Sequence, residues 1–127
     1  MTLNELRDKA YKIADDHGFH NDPRDFATRL MLIVSELSEA MEADRKGQWR
    51  GNPELLSGKK LLDVEITRGE YKRTVKGFVE EEIADAIIRL LDLAGIHNID
   101  LDWHVKAKMA YNETQGYKKR RKKCKIY

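Results

Sequence analysis

The sequence predicts an all-α fold in which four main helices form an antiparallel bundle that is completed by dimerisation. Apolar residues recur at intervals of three and four in four separate stretches, which is the spacing of an amphipathic helix. The chain has 127 residues and only two prolines, so one helical domain is expected. A monomer of this size also leaves much apolar surface exposed, which favours an assembly.

The first two predicted helices have recognisable start and stop signals. Thr2 begins a T-x-x-E capping box, and the helical spacing of apolar residues then continues to Gly18, where the helix should end. Asp22 and Pro23 resemble an N-cap followed by proline at the first helical position. The second helix is therefore expected to run from there to about Gly47.

Two further helices are predicted in the second half of the chain. A third helix should run from about Val75 to Ala94 and stop at Gly95. A fourth should start at Asp100, a favourable N-cap residue, and end near Gly116. Residues 48–74 lack this periodicity. Their glycines and a short apolar alternation predict either a small β-hairpin flap at about 50–74, turning near Arg68-Gly69, or an irregular loop.

Charge divides the chain into a helical domain, residues 1–117, and a basic tail, residues 118–127. The stretch KKRRKKCK carries seven positive charges; removing them from the net charge of +2 leaves −5 on the rest. The tail is interpreted either as a solvated end or as a contact for phosphates of a nucleotide or nucleic acid. Without a membrane-length apolar run or a signal-peptide pattern, a cytoplasmic location and no membrane partner are expected. The single Cys124 excludes an intrachain disulfide and a cysteine-based zinc site.

Two carboxylate pairs occupy corresponding positions on the second and third predicted helices. An α-helix turns roughly 100° per residue. With this rotation, Glu36 and Glu82 each lie at one edge of an apolar stripe on their helix. Glu39 and Asp85 lie about 60° farther out, on the same side of their helices. If the two apolar stripes pack together, all four carboxylates can converge beside the seam.

Four carboxylates in one place repel each other unless some are protonated or a cation lies between them. Ligands that are all oxygen select a hard cation: Mg²⁺, Mn²⁺ or Ca²⁺. The alternative is that acids three residues apart are ordinary solvated helix surface. The matching positions of the two pairs favour the metal site.

The fourth predicted helix supplies candidates for substrate binding. Lys108 and Asn112 continue an apolar line along this helix, and both could reach a phosphate near a metal; a lysine there could equally extend into solvent. Trp49 and Tyr111 could stack on a base, or could belong to the core or an interface. Apolar residues outside the main stripes predict a second buried surface, as in a homodimer or homotetramer.

Three segments resemble the MazG-like all-α nucleotide pyrophosphohydrolases: SELSEAMEADRKG (35–47), VEEEIADAIIRLLDLAG (79–95) and KMAYNETQ (108–115). The family pattern is E-x-x-E, then E-x-x-D, then K-x-x-x-N-x-x-R, in this order. The resemblance implies a hydrolase of nucleotide metabolism that cleaves a (d)NTP or related nucleotide into a monophosphate and pyrophosphate.

By the same resemblance, the four carboxylates would be the catalytic and metal-binding residues, with Mg²⁺ as cofactor and Mn²⁺ as an alternative. Lys108 and Asn112 would bind the phosphates. Gln115 stands where the family has arginine, and the segment 48–74 is longer than compact members need. Either departure could change the substrate. The competing hypothesis is a non-catalytic helical module that binds nucleotides, or nucleic acid through its basic tail.

Overall fold

The structure is a computed structural model that describes residues 1–49 and 68–115. Within these ranges it is entirely helical, with four long helices, one short helix and no strand, as the sequence predicts at this level. The helices are α1 (Leu3–Asp16), α2 (Phe26–Arg45), α3 (Arg68–Thr74), α4 (Val79–Ile96) and α5 (Leu101–Thr114). None of them is both long enough and apolar enough to cross a bilayer.

α4 lies at the centre, and both α1 and α2 pack along it. α2 and α4 are antiparallel: the ring of Phe26, at the start of α2, contacts His97 just after α4. At the other end, Gln48 accepts a hydrogen bond from the backbone N–H of Val79 at 2.9 Å. This arrangement places the second half of α2 opposite the first half of α4, where the two predicted carboxylate pairs lie.

The signals that delimit α1 are confirmed, and so is the end of α2. The side chain of Thr2 accepts a hydrogen bond from the backbone N–H of Glu5 at 3.0 Å, which caps the first turn. Gly18 follows α1 with a φ of +77°, and Gly47 follows α2 with a φ of +70°. Both glycines adopt the left-handed conformation that commonly ends helices.

The predicted start of α2 at Asp22 is wrong. The N-cap is Asp25, whose side chain accepts a hydrogen bond from the backbone N–H of Thr28 at 2.8 Å. The Asp22 carboxylate instead pairs with Arg24 at 2.7 Å. Pro23 therefore precedes the helix rather than occupying its first position.

The bounds of α4 also differ from the prediction. The helix begins at Val79, because Gly77 has a φ of +83° and interrupts the chain after α3. At its other end, α4 continues through Gly95 to Ile96. The glycine serves helix packing: a Cβ at position 95 would lie 2.9 Å from the Cβ of Tyr11 on α1. Close approach of the two helices, rather than helix termination, accounts for this glycine.

Only part of the predicted flap is described. Residues 68–74 form α3, so the chain begins a helix at Arg68 and Gly69, where a hairpin turn was predicted. Residues 50–67 and the basic tail lie outside the described residues, and so do the predictions made for them.

α5 is joined to α1 through reciprocal capping of their first turns. Asp102 accepts hydrogen bonds from the backbone N–H groups of Leu3 at 3.0 Å and Asn4 at 3.3 Å. The side-chain oxygen of Asn4 in turn accepts one from the backbone N–H of Leu101 at 2.9 Å. Asp100 caps α5 as predicted, accepting from the backbone N–H of Trp103. Each such cap typically stabilises a helix by ~1 kcal/mol.

The core between α2 and α4 is small. Its centre consists of Ile33, Ala86 and Leu93, and none of the large side chains in the described ranges is completely buried. Apolar side chains on both helices remain substantially exposed, among them Val34, Leu37, Met41, Ile83, Ile87 and Leu90. The chain alone therefore covers only part of its amphipathic faces.

Candidate metal centre

Three acidic side chains meet where α2 crosses the first half of α4. One carboxylate oxygen from each of Glu36, Glu82 and Asp85 lies within 4.8 Å of the others. Glu36 is the one charged side chain that is buried among the described residues, and the two α4 acids are half-buried. The structure thus brings three of the four predicted carboxylates together at the edge of the α2–α4 seam.

Glu39, the fourth predicted carboxylate, lies at the solvent side of this cluster. Its side chain is exposed, in agreement with a position farther from the apolar stripe than Glu36. It nevertheless shares a hydrogen bond with the Glu82 carboxyl. A proton or a cation between these two carboxyl groups would relieve their mutual repulsion.

The surroundings of Glu82 disfavour its negative charge. Burial, the hydrogen bond with Glu39 and the nearby charges of Glu39 and Asp85 raise the pKa of Glu82 to about 7. Its Oε2 atom is inaccessible to solvent and has no hydrogen-bond partner among the described residues. A buried carboxylate oxygen without a donor is unfavourable, and a bound cation would satisfy it.

Asp85 is subject to the same environment. Burial, followed by the charges of Glu81, Glu36 and Glu39, raises the pKa of Asp85, and Arg89 opposes this shift. The residues present therefore fit a divalent cation: the donors are all carboxylate oxygens, which hard ions such as Mg²⁺ and Mn²⁺ prefer. Asp85 and Glu82 would supply ligands from α4, and Glu36 would supply one from α2.

Arg89 is a component of the site that the sequence interpretation missed. Its Nε donates a hydrogen bond to Glu36 Oε1 at 2.7 Å. Helical geometry could have identified it, because it follows Asp85 by four residues and Glu82 by seven. At about 100° per residue, Arg89 lies between these two acids on the surface of α4.

Tyr71 is a second residue near the site that was not predicted. Burial and a hydrogen bond with Glu81 raise the pKa of Tyr71, and the charges of Asp85 and Glu82 add to this effect. Glu81 also accepts a hydrogen bond from the backbone N–H of Gly77 at 2.8 Å. These contacts hold α3 beside the start of α4. Periodicity gave no signal for them, since α3 lies in the segment interpreted as a flap.

A cavity of about 540 Å³ adjoins the carboxylates between α1, α2 and α4. Glu36, Asp85 and Arg89 form the part of its lining nearest the cluster, while apolar residues such as Ile13 and Leu93 line its walls. The volume suits a small organic ligand with a charged group directed towards the carboxylates.

The predicted substrate-binding residues lie elsewhere in the described structure. Lys108 Nζ is 4.9 Å from the centre of the Tyr111 ring, on a helix whose extended contact is with α1. Trp49 is half exposed and donates its indole N–H to Asp44 at 2.7 Å. The described contacts do not join Lys108, Asn112, Trp49 or Tyr111 to the carboxylates, so their roles stay predictions.

Comparison with known proteins identifies no relative: no family model, no curated protein and no solved structure matches this chain. The function is therefore inferred from the site and from the sequence motifs.

Proposed function

We propose that this protein is a Mg²⁺-dependent nucleotide pyrophosphohydrolase, which cleaves a (d)NTP or related nucleotide between its α- and β-phosphates. The observation that carries the proposal is the cluster of Glu36, Glu82 and Asp85, with its buried oxygen that has no hydrogen-bond donor. The resemblance of three segments to the MazG-like enzymes supports the choice of reaction. Mn²⁺ is an alternative cofactor because it accepts the same oxygen ligands.

Charge explains why an acidic site would suit this substrate. A nucleoside triphosphate is itself strongly anionic, so these carboxylates can accept it only together with cations. The bound metal would neutralise the phosphate oxygens and the leaving pyrophosphate and would acidify a coordinated water. The protein's own part is to hold the cation with Glu36, Glu82 and Asp85 and to place the phosphates in line with the attacking water.

Glu39 is the carboxylate best placed to accept the proton of that water, because it is exposed and adjoins Glu82. In the proposed reaction, the water oxygen bonds to the α-phosphorus. The bond from that phosphorus to the bridging oxygen breaks, and the electron pair leaves on pyrophosphate. The water proton passes to the carboxylate, and the second product is a nucleoside monophosphate.

We also propose that the active form is a homodimer or homotetramer. The observation behind this is the row of exposed apolar side chains on α2 and α4, with no large side chain in the described ranges completely buried. A second copy packed on this face would complete a four-helix core. Ile87→Glu should then convert the assembly to monomer in analytical ultracentrifugation. An unchanged sedimentation coefficient would contradict this assignment.

The test of the activity is release of pyrophosphate from a panel of triphosphates and phosphoribosylated nucleotides. Turnover should require Mg²⁺, stop with a chelator, and fall at least about 100-fold in Glu39→Gln, which removes the proton acceptor. Glu42→Gln is the matched control, since Glu42 lies on the same helix and pairs with Arg45 at its exposed end. The proposal fails if no member of the panel shows metal-dependent turnover.

A further inference from the structure

The ion pair between Arg89 and Glu36 is asymmetric. The Glu36 side chain is 11% exposed, whereas that of Arg89 is 44% exposed, and Arg89 Nε donates a hydrogen bond to Glu36 Oε1 at 2.7 Å. The carboxylate is therefore buried at the seam, while its arginine partner remains partly accessible from outside.

Arg89 has no hydrogen-bond acceptor other than Glu36 among residues 1–49 and 68–115, and it lines the 540 Å³ cavity beside Glu36 and Asp85. The other arginines of this cavity are engaged away from the cluster: Arg24 pairs with Asp22, and Arg29 donates to the Asp22 carbonyl oxygen. Arg89 is therefore the guanidinium that the fold directs to the carboxylates.

We infer that Arg89 is a phosphate-binding residue of this site, an inference that rests on the proposed function. Glu36 accepts Arg89 Nε with one oxygen and keeps its second oxygen for the cation. A polyphosphate bound to that cation would then lie within reach of the terminal nitrogens. Two parallel N–H groups match two phosphate oxygens, and the bond to Glu36 fixes the guanidinium before the substrate arrives.

The alternative is that Arg89 only balances the charge of the carboxylates when no metal is bound. The two roles predict different effects on pyrophosphate binding. A phosphate ligand strengthens pyrophosphate binding and is not required for cation binding. A counter-ion affects the stability of the metal-free protein, and its removal leaves pyrophosphate affinity unchanged.

The test is calorimetric titration of the full chain, first with Mg²⁺ alone and then with inorganic pyrophosphate at saturating Mg²⁺. Arg89→Gln should bind Mg²⁺ at least as tightly as the unmodified protein, because a competing cation is gone. Its pyrophosphate affinity should fall about 10- to 100-fold, the usual effect of losing charged hydrogen bonds. Arg89→Lys should fall in between, since it keeps the charge and loses the fork.

Arg45→Gln is the matched control, because Arg45 forms an exposed pair with Glu42 on α2 at 3.7 Å. It should leave both affinities unchanged. One outcome is that the unmodified protein binds both Mg²⁺ and pyrophosphate while Arg89→Gln and Arg89→Lys bind pyrophosphate as tightly as it does. In that case the inference fails and the proposed function stands. If the unmodified protein binds no Mg²⁺, both fail together.

Discussion

Acidic residues occur in two contrasting places, the junction of α1 with α5 and the seam of α2 with α4. At the junction, hydrogen bonds from Asn4 and from the backbone N–H of Trp103 lower the pKa of Asp100. At the seam, burial and neighbouring carboxylates raise the pKa of Glu82 to about 7. The side chains have the same chemistry, and their surroundings shift the pKa in opposite directions.

The difference separates a structural role from a functional one. Asp102 at the junction accepts hydrogen bonds from two backbone N–H groups that would otherwise lack partners, so this side chain has a structural role without any ligand. At the seam, Arg89 supplies one donor to Glu36, and Glu82 Oε2 is left without any among the described residues. A further cation would satisfy these carboxylates, which is why we propose the metal site there.

The largest expected difference between the two regions is in metal binding. Asp85→Asn removes a charged ligand and should weaken Mg²⁺ binding on the order of 100-fold or more, a magnitude typical of losing one strong electrostatic partner. Asp102→Asn, the matched change at the junction, should leave Mg²⁺ affinity unchanged. Calorimetric titration measures both. Equal losses of Mg²⁺ affinity in the two variants would show that the two regions do not differ in metal binding.

The second effect concerns pH. Because the folded-state pKa of Glu82 is raised from 4.5 to about 7, the metal-free folded protein binds more protons than the unfolded chain between these values. Stability from this group is present below pH ~4.5 and is lost as pH rises through ~7. The melting temperature of the metal-free protein should fall across this window.

Two controls identify the group responsible for this pH dependence. Glu82→Gln should flatten the decline, since the amide does not titrate. Adding Mg²⁺ at pH 8 should raise the melting temperature of the unmodified protein, because only the folded state offers the assembled ligands. If the melting temperature of Glu82→Gln declines with pH as steeply as that of the unmodified protein, other groups cause the pH dependence.

The smallest effect is expected at the junction. Asp102→Ala deprives the N–H groups of Leu3 and Asn4 of their acceptor and should lower the free energy of unfolding by about 1–2 kcal/mol. Urea denaturation measures this loss. Asp16→Ala, which removes an exposed pair with Lys12, should cost less than about 0.5 kcal/mol. If Asp102→Ala lowers the free energy of unfolding no more than Asp16→Ala does, reciprocal capping contributes little to stability.

The sequence predicted the structure best where the pattern of residues on one helix face is sufficient to identify a helix and to orient its side chains. Apolar periodicity identified the four long helices, and the offset of Glu36 and Glu82 from the apolar stripes placed carboxylates at one seam. Helix ends were less predictable because they depend on competing partners. Asp22 has the right chemistry for an N-cap, but it pairs with Arg24, and Asp25 caps the helix.

Other features depend on contacts between distant segments. Gly95 reads as a helix stop, yet it allows Tyr11 of α1 to approach α4. Tyr71 reaches Glu81 through a short helix that periodicity did not indicate. Arg89 is different, because its spacing from Asp85 already placed it on the acidic face of α4. A search for cations on that face would have found it from the sequence.

The most direct test of the metal assignment is anomalous X-ray diffraction from crystals grown with Mn²⁺. We expect an anomalous peak between Glu36, Glu82 and Asp85, at about 2.0–2.2 Å from their carboxylate oxygens, as for other small divalent cations. Arg89 should remain hydrogen-bonded to Glu36 beside it. A Mn²⁺ peak elsewhere, with no density between these three carboxylates, would show that they do not form the metal site.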